Sequence, residues 1–465
     1  MSEIKDKLIT AENLKNAYDD NKRAINELKD ELDDFYKKSY LSKIEQFGLP
    51  VLYINNEDVP KLISKADGDV KDVDFKFVGY NLNGKFDSVK VQGSSSQKWA
   101  KKNYTIKFKD AVNLGWGKQK KYVIKADWVD FSQIRNEVSA NLWGQIRRNR
   151  LENLPKYLVT DSSGKVCVDT NTTAVEAIHN TNPSLFGLNY GAIDAKPIIV
   201  VINGEYWGLY SLTIPKDGWM ANMTANDTYN MAIVCADGDG STYCRLRETQ
   251  PVDDNGELTG NGFNVEFASN GGDNPSWVAT SLNTMIEVLN QSHVDWETDL
   301  EPYLDIDSVI DYYIMMCVIC HTDGMFHNYL LDTWDGTRWY MIAYDMDSTW
   351  GNHWYGDGYY SPNETMSFLN FANQNRAMEV VYKYFKDRLV SRYEELRKTI
   401  LSESNLMSIV WNYAIKIPKA TYDYEAVRWS ERPGTNTNSI YQMILFINER
   451  LSWLDKEIQE LKNNI

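Results

Sequence analysis

The sequence predicts an α+β fold, with a β-rich front half and a helical back half behind one long amphipathic helix. Three patterns carry that expectation. Apolar residues recur at heptad spacing before residue 45. Short β-branched and aromatic runs separated by turn residues fill Val51 to about Ile202, and helix-forming segments dominate after Trp277. A chain of 465 residues with 43% hydrophobic side chains is too long for one simple core and has ample apolar surface for a large one.

Residues 1–45 carry Leu14, Tyr18, Asn21, Ile25, Leu28, Leu32 and Phe35 at alternating spacings of four and three. Such an a/d seam suits a coiled coil, with Asn21 as the polar seam residue that sets register. The segment is either a coiled-coil stalk joining copies of the chain into a homo-oligomer or an amphipathic helix packed on its own domain. The charged flanking faces favour self-association. Gly48 and Pro50 end the helix.

A β-rich unit is expected over 46–221. VLYIN, VDFKFVGYNL, DSVKVQG, NYTIKFKD and KYVIKAD read as strands, joined by turns such as LNGK. A helix runs from Phe131 to about Arg148. KPIIVVI and EYWGLYSLTI form a hairpin about Asn203-Gly204, a dipeptide that accepts the left-handed backbone of a tight turn. Residues 222–276, rich in Asn, Asp, Gly and Thr, read as an irregular insertion. The remainder, 277–465, should hold helices at 278–291, 306–321, 376–401, 404–414 and 438–462.

The net charge of −16 argues against nucleic acid or an anionic membrane as the main partner. No apolar segment of signal or membrane-spanning length follows the charged start MSEIKDK, so the protein is expected in the cytoplasm or built into a coat or virion. Five cysteines at irregular spacing fit a reduced setting. Cys317 and Cys320 form a CxxC inside an apolar run, better read as a buried helix face than as half of a zinc site.

The chemistry concentrates in HTDGMFHNYLLDTWDGTRWYMIAYDMDSTWG, residues 321–351. Asp323 precedes Asn328 by five residues. Two strands joined at Asp335-Gly336 follow, and Asp345 and Asp347 come just past the second. A hairpin of this kind brings both its ends to one place. Phosphoryl transfer needs a carboxylate to orient the attacking hydroxyl and hard oxygen ligands to hold Mg²⁺ against the phosphates. Protein kinases use Asp-x4-Asn and then a metal-binding Asp, but the His-Arg-Asp and Asp-Phe-Gly signatures are absent here. The same carboxylates could instead cap turns around the two strands.

Four blocks in order resemble the spore-coat CotH kinase family. They are VQGSSSQKWAKKNYTIKF (91–108), DWVDFSQIRNEVSANL (127–142), VINGEYWGLYSLTIPKD (201–217), and DGMFHN followed by YDMDSTWG. The resemblance implies an atypical bilobal protein-kinase-like fold, with a β-rich N-lobe and a helical C-lobe, that uses ATP and Mg²⁺ to phosphorylate a protein. By position it implies Asp323 and Lys101 as catalytic residues. Asn328, Asp345 and Asp347 would be metal ligands. Lys102, Ser94, Ser95, Ser96, Arg135 and His327 would contact the nucleotide, with a structural cap or ion pair as the other reading of Arg135 and Asn136, and a satisfied structural histidine as the equal reading of His327. Two positions depart from the family pattern: Gln92 stands for an Arg, and Ile214 for the acidic residue after GLYxL, with Asp217 a substitute only if the register shifts. An enzyme acting on Ser or Thr of a coat-like protein is one expectation. A structural assembly protein, such as a phage tail or baseplate component carrying this domain on an oligomeric stalk, is the other.

Overall fold

The computed structural model describes residues 15–16, 18–28, 31, 41, 43–151, 159–160, 166–167, 194–221, 223–225, 230–238, 242–363, 366–434 and 439–464. It is a mixed α+β structure. The front half is built on β1 (Val51–Asn55), β2 (Val70–Val78), β3 (Leu82–Gln92), β4 (Asn103–Asn113) and β5 (Lys118–Lys125). A two-stranded pair follows, β6 (Val159–Thr160) and β7 (Val166–Cys167), and then β8 (Ala195–Ile202) and β9 (Glu205–Thr213). Seven of these close into a barrel in the order β1-β2-β3-β4-β5-β9-β8. Neighbours pair antiparallel except β1 and β8, whose parallel contact closes the ring. Aromatic rings fill part of it: Phe75 stacks on Phe86 at 4.2 Å, and Phe108 meets Phe86 edge-on at 4.9 Å.

The β8–β9 hairpin turns where the sequence indicates, with Asn203 at φ 51° and Gly204 at φ 78°. The expected LNGK turn is instead part of β3. The chain reverses at Gly79-Tyr80-Asn81, because Phe77 pairs with Leu82 and Phe75 with Gly84. Gly79 stands at φ 96° and a Cβ there would press on Pro50 at 3.1 Å, so glycine at this position, not at 84, makes the reversal.

After β5 the chain makes a tight loop before α1 (Arg135–Leu151). The helix starts four residues later than expected. The Asp130 carboxylate accepts the Ile134 and Arg135 amides at 3.1 and 2.9 Å, and so fixes the first turn.

The segment expected as an irregular insertion supplies two strands, β10 (Ala232–Ala236) and β11 (Phe263–Ala268). They join β12 (Tyr329–Thr333) and β13 (Tyr340–Ala343) in a four-stranded sheet ordered β11-β10-β12-β13. β10 is buried along its whole length, AIVCA. The polar residues around this short run hid it in the sequence.

The helices are α2 (Ser276–Asn290), α3 (Trp296–Leu300), α4 (Ile306–Ile319), α5 (Phe368–Gln374), α6 (Arg376–Tyr384), α7 (Lys386–Arg397), α8 (Glu403–Ala414), α9 (Lys419–Arg428) and α10 (Ile440–Asn463). The single helix expected over 376–401 breaks at the buried Phe385, so α6 and α7 turn separately around the core. Nearly all of α4 is buried, which accounts for its continuous apolar run. Cys317 lies within it and Cys320 caps its end, both buried with thiols pushed up by burial.

Residues 18–28 are helical. Tyr18, Ile25 and Leu28 are 66%, 55% and 65% exposed, so this part of the seam does not pack on the rest of the chain. Leu14, Leu32 and Phe35 lie outside the described residues. Among the described residues no helix is long and apolar enough to cross a membrane.

Candidate active site

A cavity of about 1120 Å³ lies between the barrel rim and the open ends of the β12–β13 hairpin. Tyr329 pairs with Ala343, so the residues just outside that pair, Asn328 and Tyr344 with Asp345, emerge together. Asn328 and Asp345 both adopt left-handed backbone, φ 56° and 51°, which turns the chain sharply at each mouth of the hairpin. Asn328 is anchored by its amide to the Ala236 carbonyl at 3.1 Å. Asp323 sits in a short turn after α4, and its carbonyl accepts the His327 amide at 2.8 Å. Asp323, His327, Asn328, Asp345 and Asp347 all line the cavity.

Lys125, the last residue of β5, crosses the cavity to form an ion pair with Asp345. Burial opposes both charges. For Asp345 the attraction of Lys125 outweighs it and holds the carboxyl below the usual range. Lys125 is raised, since Asp345, Tyr344 and Asp347 together outweigh its burial. The Lys125 and Lys216 ammoniums lie 5.2 and 5.0 Å from the Tyr344 ring. Asp347 is pushed well above the carboxylate range, first by burial and then by the charge of Asp345. A cation beside this pair would relieve that repulsion.

Among the described residues no three His, Cys, Asp or Glu side chains gather closely enough to hold a metal. Asn328, Asp345 and Asp347, which line the same cavity, offer two carboxylates and an amide oxygen, the hard oxygen donors that Mg²⁺ accepts.

The two lysines expected at the nucleotide already have partners, and Lys101 borders the cavity. Lys101 is fully buried, with its ammonium committed to the Glu425 carboxylate of α9 and to the carbonyls of Ala126 and Leu209. Burial pushes it down to about 8 despite that partner. The Lys102 ammonium caps the Gln97 carbonyl at 2.7 Å and that of Trp99. Arg135 is also spent on the fold: it is wholly buried and joins Asp130, the Thr349 carbonyl at 3.0 Å and Gln442 at 2.6 Å.

Ser94, Ser95 and Ser96 do border the cavity. Gly93 makes their turn possible at φ 104°, where a Cβ would strike the Ser96 hydroxyl. His327 uses Nδ1 on the Gly238 carbonyl at 2.9 Å. Gln92 lines the wall with its amide oxygen buried and unpartnered. Ile214 is buried against the same space. Asp217 does not move into its place, since it pairs with Lys121 at 2.8 Å. Beyond Ile214, Lys216 and Glu266 form an ion pair at 2.5 Å.

Lys125, Asp127, Lys216 and Glu266 were not singled out in the sequence. Lys125 and Asp127 stand at the end of KYVIKAD, where a strand leaving the barrel delivers its last side chains to the rim. Another signal is His321-Thr322-Asp323, which keeps the His and Asp of a kinase His-Arg-Asp. His321 is buried and held neutral by that burial against the pull of Asp323 and Asp345. Its ring faces the Tyr344 main chain without a well-aligned hydrogen bond.

No curated protein matches the chain. The family model described as CotH kinase protein matches residues 89–454, which takes in the barrel from the end of β3 onward, every residue of the cavity from Lys90, and the helices through most of α10. By that match over most of its length, the chain belongs to the CotH kinase protein family.

Proposed function

We propose that this protein is a bilobal, kinase-like phosphotransferase that binds Mg-ATP in the cavity and passes the γ-phosphate to a Ser or Thr hydroxyl of a structural protein. The observation that carries the reading is the Lys125–Asp345 pair, set beside Asp323, Asn328 and Asp347 in one cavity. Lys125, at the cavity wall, would meet a phosphate as a point charge. Asn328, Asp345 and Asp347 would hold Mg²⁺, which would supply neutralisation of the phosphate charge. Asp323 orients the acceptor hydroxyl and takes its proton, and the Ser94–Ser96 turn covers the phosphates.

The test is thermal stabilisation by Mg-ATP together with γ-phosphate transfer, in wild type and Asp345→Ala. Nucleotide at a hundred times its dissociation constant adds about 2.7 kcal/mol. Loss of both signals in the variant supports the enzyme. Stabilisation without transfer makes the protein a nucleotide-binding pseudokinase, and no response in wild type overturns the site.

A second reading has its own observation. The exposed Tyr18, Ile25 and Leu28 form an uncovered apolar stripe, which suits a stalk that joins copies of the chain in a coat, tail or baseplate assembly. An unchanged monomeric mass after removal of residues 1–45 would sink it.

A further inference from the structure

Glu137, in the first turn of α1, is fully buried, and its carboxyl faces the Ser211 hydroxyl of β9 at 2.6 Å. The same hydroxyl is hydrogen-bonded to the Asp127 carboxylate. One hydroxyl has one hydrogen, so it can donate to only one of the two acids. The other acid must supply the hydrogen of its own contact. Asp127 has a second donor, the Asn136 amide at 3.0 Å, whereas the remaining oxygen of Glu137 is buried without a partner. The proton therefore belongs on Glu137. Burial first, and then the charges of Asp127 and Asp130 in the loop before α1, push the Glu137 carboxyl well above the carboxylate range, and Tyr413 of α8 and Tyr422 of α9 lie near it.

The chain of contacts continues. Asn136 gives its amide hydrogen to Asp127 and takes, on its oxygen, the Met346 amide at 2.7 Å. Met346 stands between Asp345 and Asp347. Asp127 itself has a left-handed backbone, φ 44°, and its loop is held at nearly every carbonyl. Lys101 takes Ala126, Arg432 takes Asp127, Trp128 and Asp130, and Asn352 takes Val129. A strained conformation secured at so many points is preorganised.

We infer that protonated Glu137 heads a directed hydrogen-bond array, Glu137 to Ser211 to Asp127, with Asn136 bridging Asp127 to Met346, that positions the Asp345–Asp347 turn to receive a nucleotide-bound divalent cation. Glu137 O–H donates to Ser211, Ser211 O–H to Asp127, Asn136 N–H to Asp127, and Met346 N–H to Asn136. Glu137, Ser211, Asp127 and Asn136 are positioning residues in this scheme. The role in cation binding rests on the function proposed above; the proton on Glu137 and the ordering of the turn do not.

The test uses the full chain and three readouts. In the infrared spectrum at neutral pH, Glu137→Gln should lose one protonated-carboxyl band. Hydrogen exchange of the peptide containing Met346 should quicken in Asn136→Ala and Ser211→Ala but not in Glu137→Gln, whose amide still donates to Ser211. Affinity for Mn²⁺ with ATP should fall about tenfold in the two alanine variants and stay near wild type in Glu137→Gln, the range seen when groups supporting metal ligands are removed. An unchanged infrared spectrum would overturn the proton assignment, and unchanged exchange in both alanine variants would overturn the array. If wild type takes up no Mn²⁺ with ATP, the proposed function fails, while the other two readouts still decide the array.

Discussion

Lys125 and Asp345 meet across the cavity although 220 residues separate them in the chain. One ends a barrel strand and the other follows a hairpin of the four-stranded sheet, so this ion pair, like Lys216–Glu266 beside it, ties the two halves of the molecule at the site. Lys125→Met leaves Asp345 beside Asp347 without its neutralising partner. We expect Mg-ATP stabilisation to fall and phosphate transfer to drop about 10²-fold, the scale of losing one electrostatic stabiliser in a water-poor site. Calorimetry and radiolabel transfer check this, and wild-type transfer in Lys125→Met would remove Lys125 from the mechanism.

The Lys101–Glu425 pair is a prediction about stability. Both side chains are fully buried, and Arg432 adds a second cation to Glu425 at 3.0 Å. Breaking such a pair from one side strands a buried charge and costs about 3–5 kcal/mol. Glu425→Gln should therefore lower the unfolding free energy in urea by that order and loosen α9 from the barrel. Lys101→Met alone should cost less, since Arg432 still neutralises Glu425, and the double variant should recover part of the loss. Additive losses would show that the two residues act independently.

Asp332 of β12 is buried with neither carboxyl oxygen hydrogen-bonded, and burial pushes it well above the carboxylate range. Its folded form keeps a proton that the unfolded chain releases above about pH 4. In that window the native state binds more protons than the unfolded state, so this residue's contribution to stability declines as pH rises toward its folded pKa. Asp332→Asn removes the dependence. Its stability relative to wild type should improve by up to about 1.4 kcal/mol per pH unit across the window, read from urea unfolding at several pH values. A pH-independent difference would place a charge-stabilising partner at Asp332.

The N-terminal helix gives a prediction about assembly. With Tyr18, Ile25 and Leu28 exposed, sedimentation should report more than one copy per particle for the full chain and a single copy once residues 1–45 are removed. Ile25→Glu should mimic the truncation.

Much of this was legible along the chain. Short β-branched and aromatic runs bounded by turn residues gave β1, β4, β5 and the β8–β9 hairpin, because the buried stretch of each strand is written as a largely continuous apolar segment. The Asp323–Asn328 and Asp345–Asp347 clusters were visible for a related reason: a hairpin between them must return its ends together. Strands β10, a short buried run, and β11, a half-buried one, were obscured because such segments among Asn, Asp and Gly look like loop until partners cover them. The helix α9 was missed because its one buried charge, Glu425, reads as solvated surface until Lys101 is placed opposite.

The sequence by itself determined the mixed α+β composition, the hairpin that carries the acidic cluster, and the family motifs in their order. Only the tertiary structure decided which lysine reaches that cluster. Lys101, Lys102 and Lys125 all lie on or beside barrel strands, and composition cannot rank them. The closure of the barrel buries Lys101 against α9 and directs Lys102 to nearby carbonyls. It leaves Lys125 at the rim, where the opposite charge of Asp345 waits within reach. A charged side chain's role is set by the partner that repays its desolvation, and that partner is supplied from elsewhere in the chain.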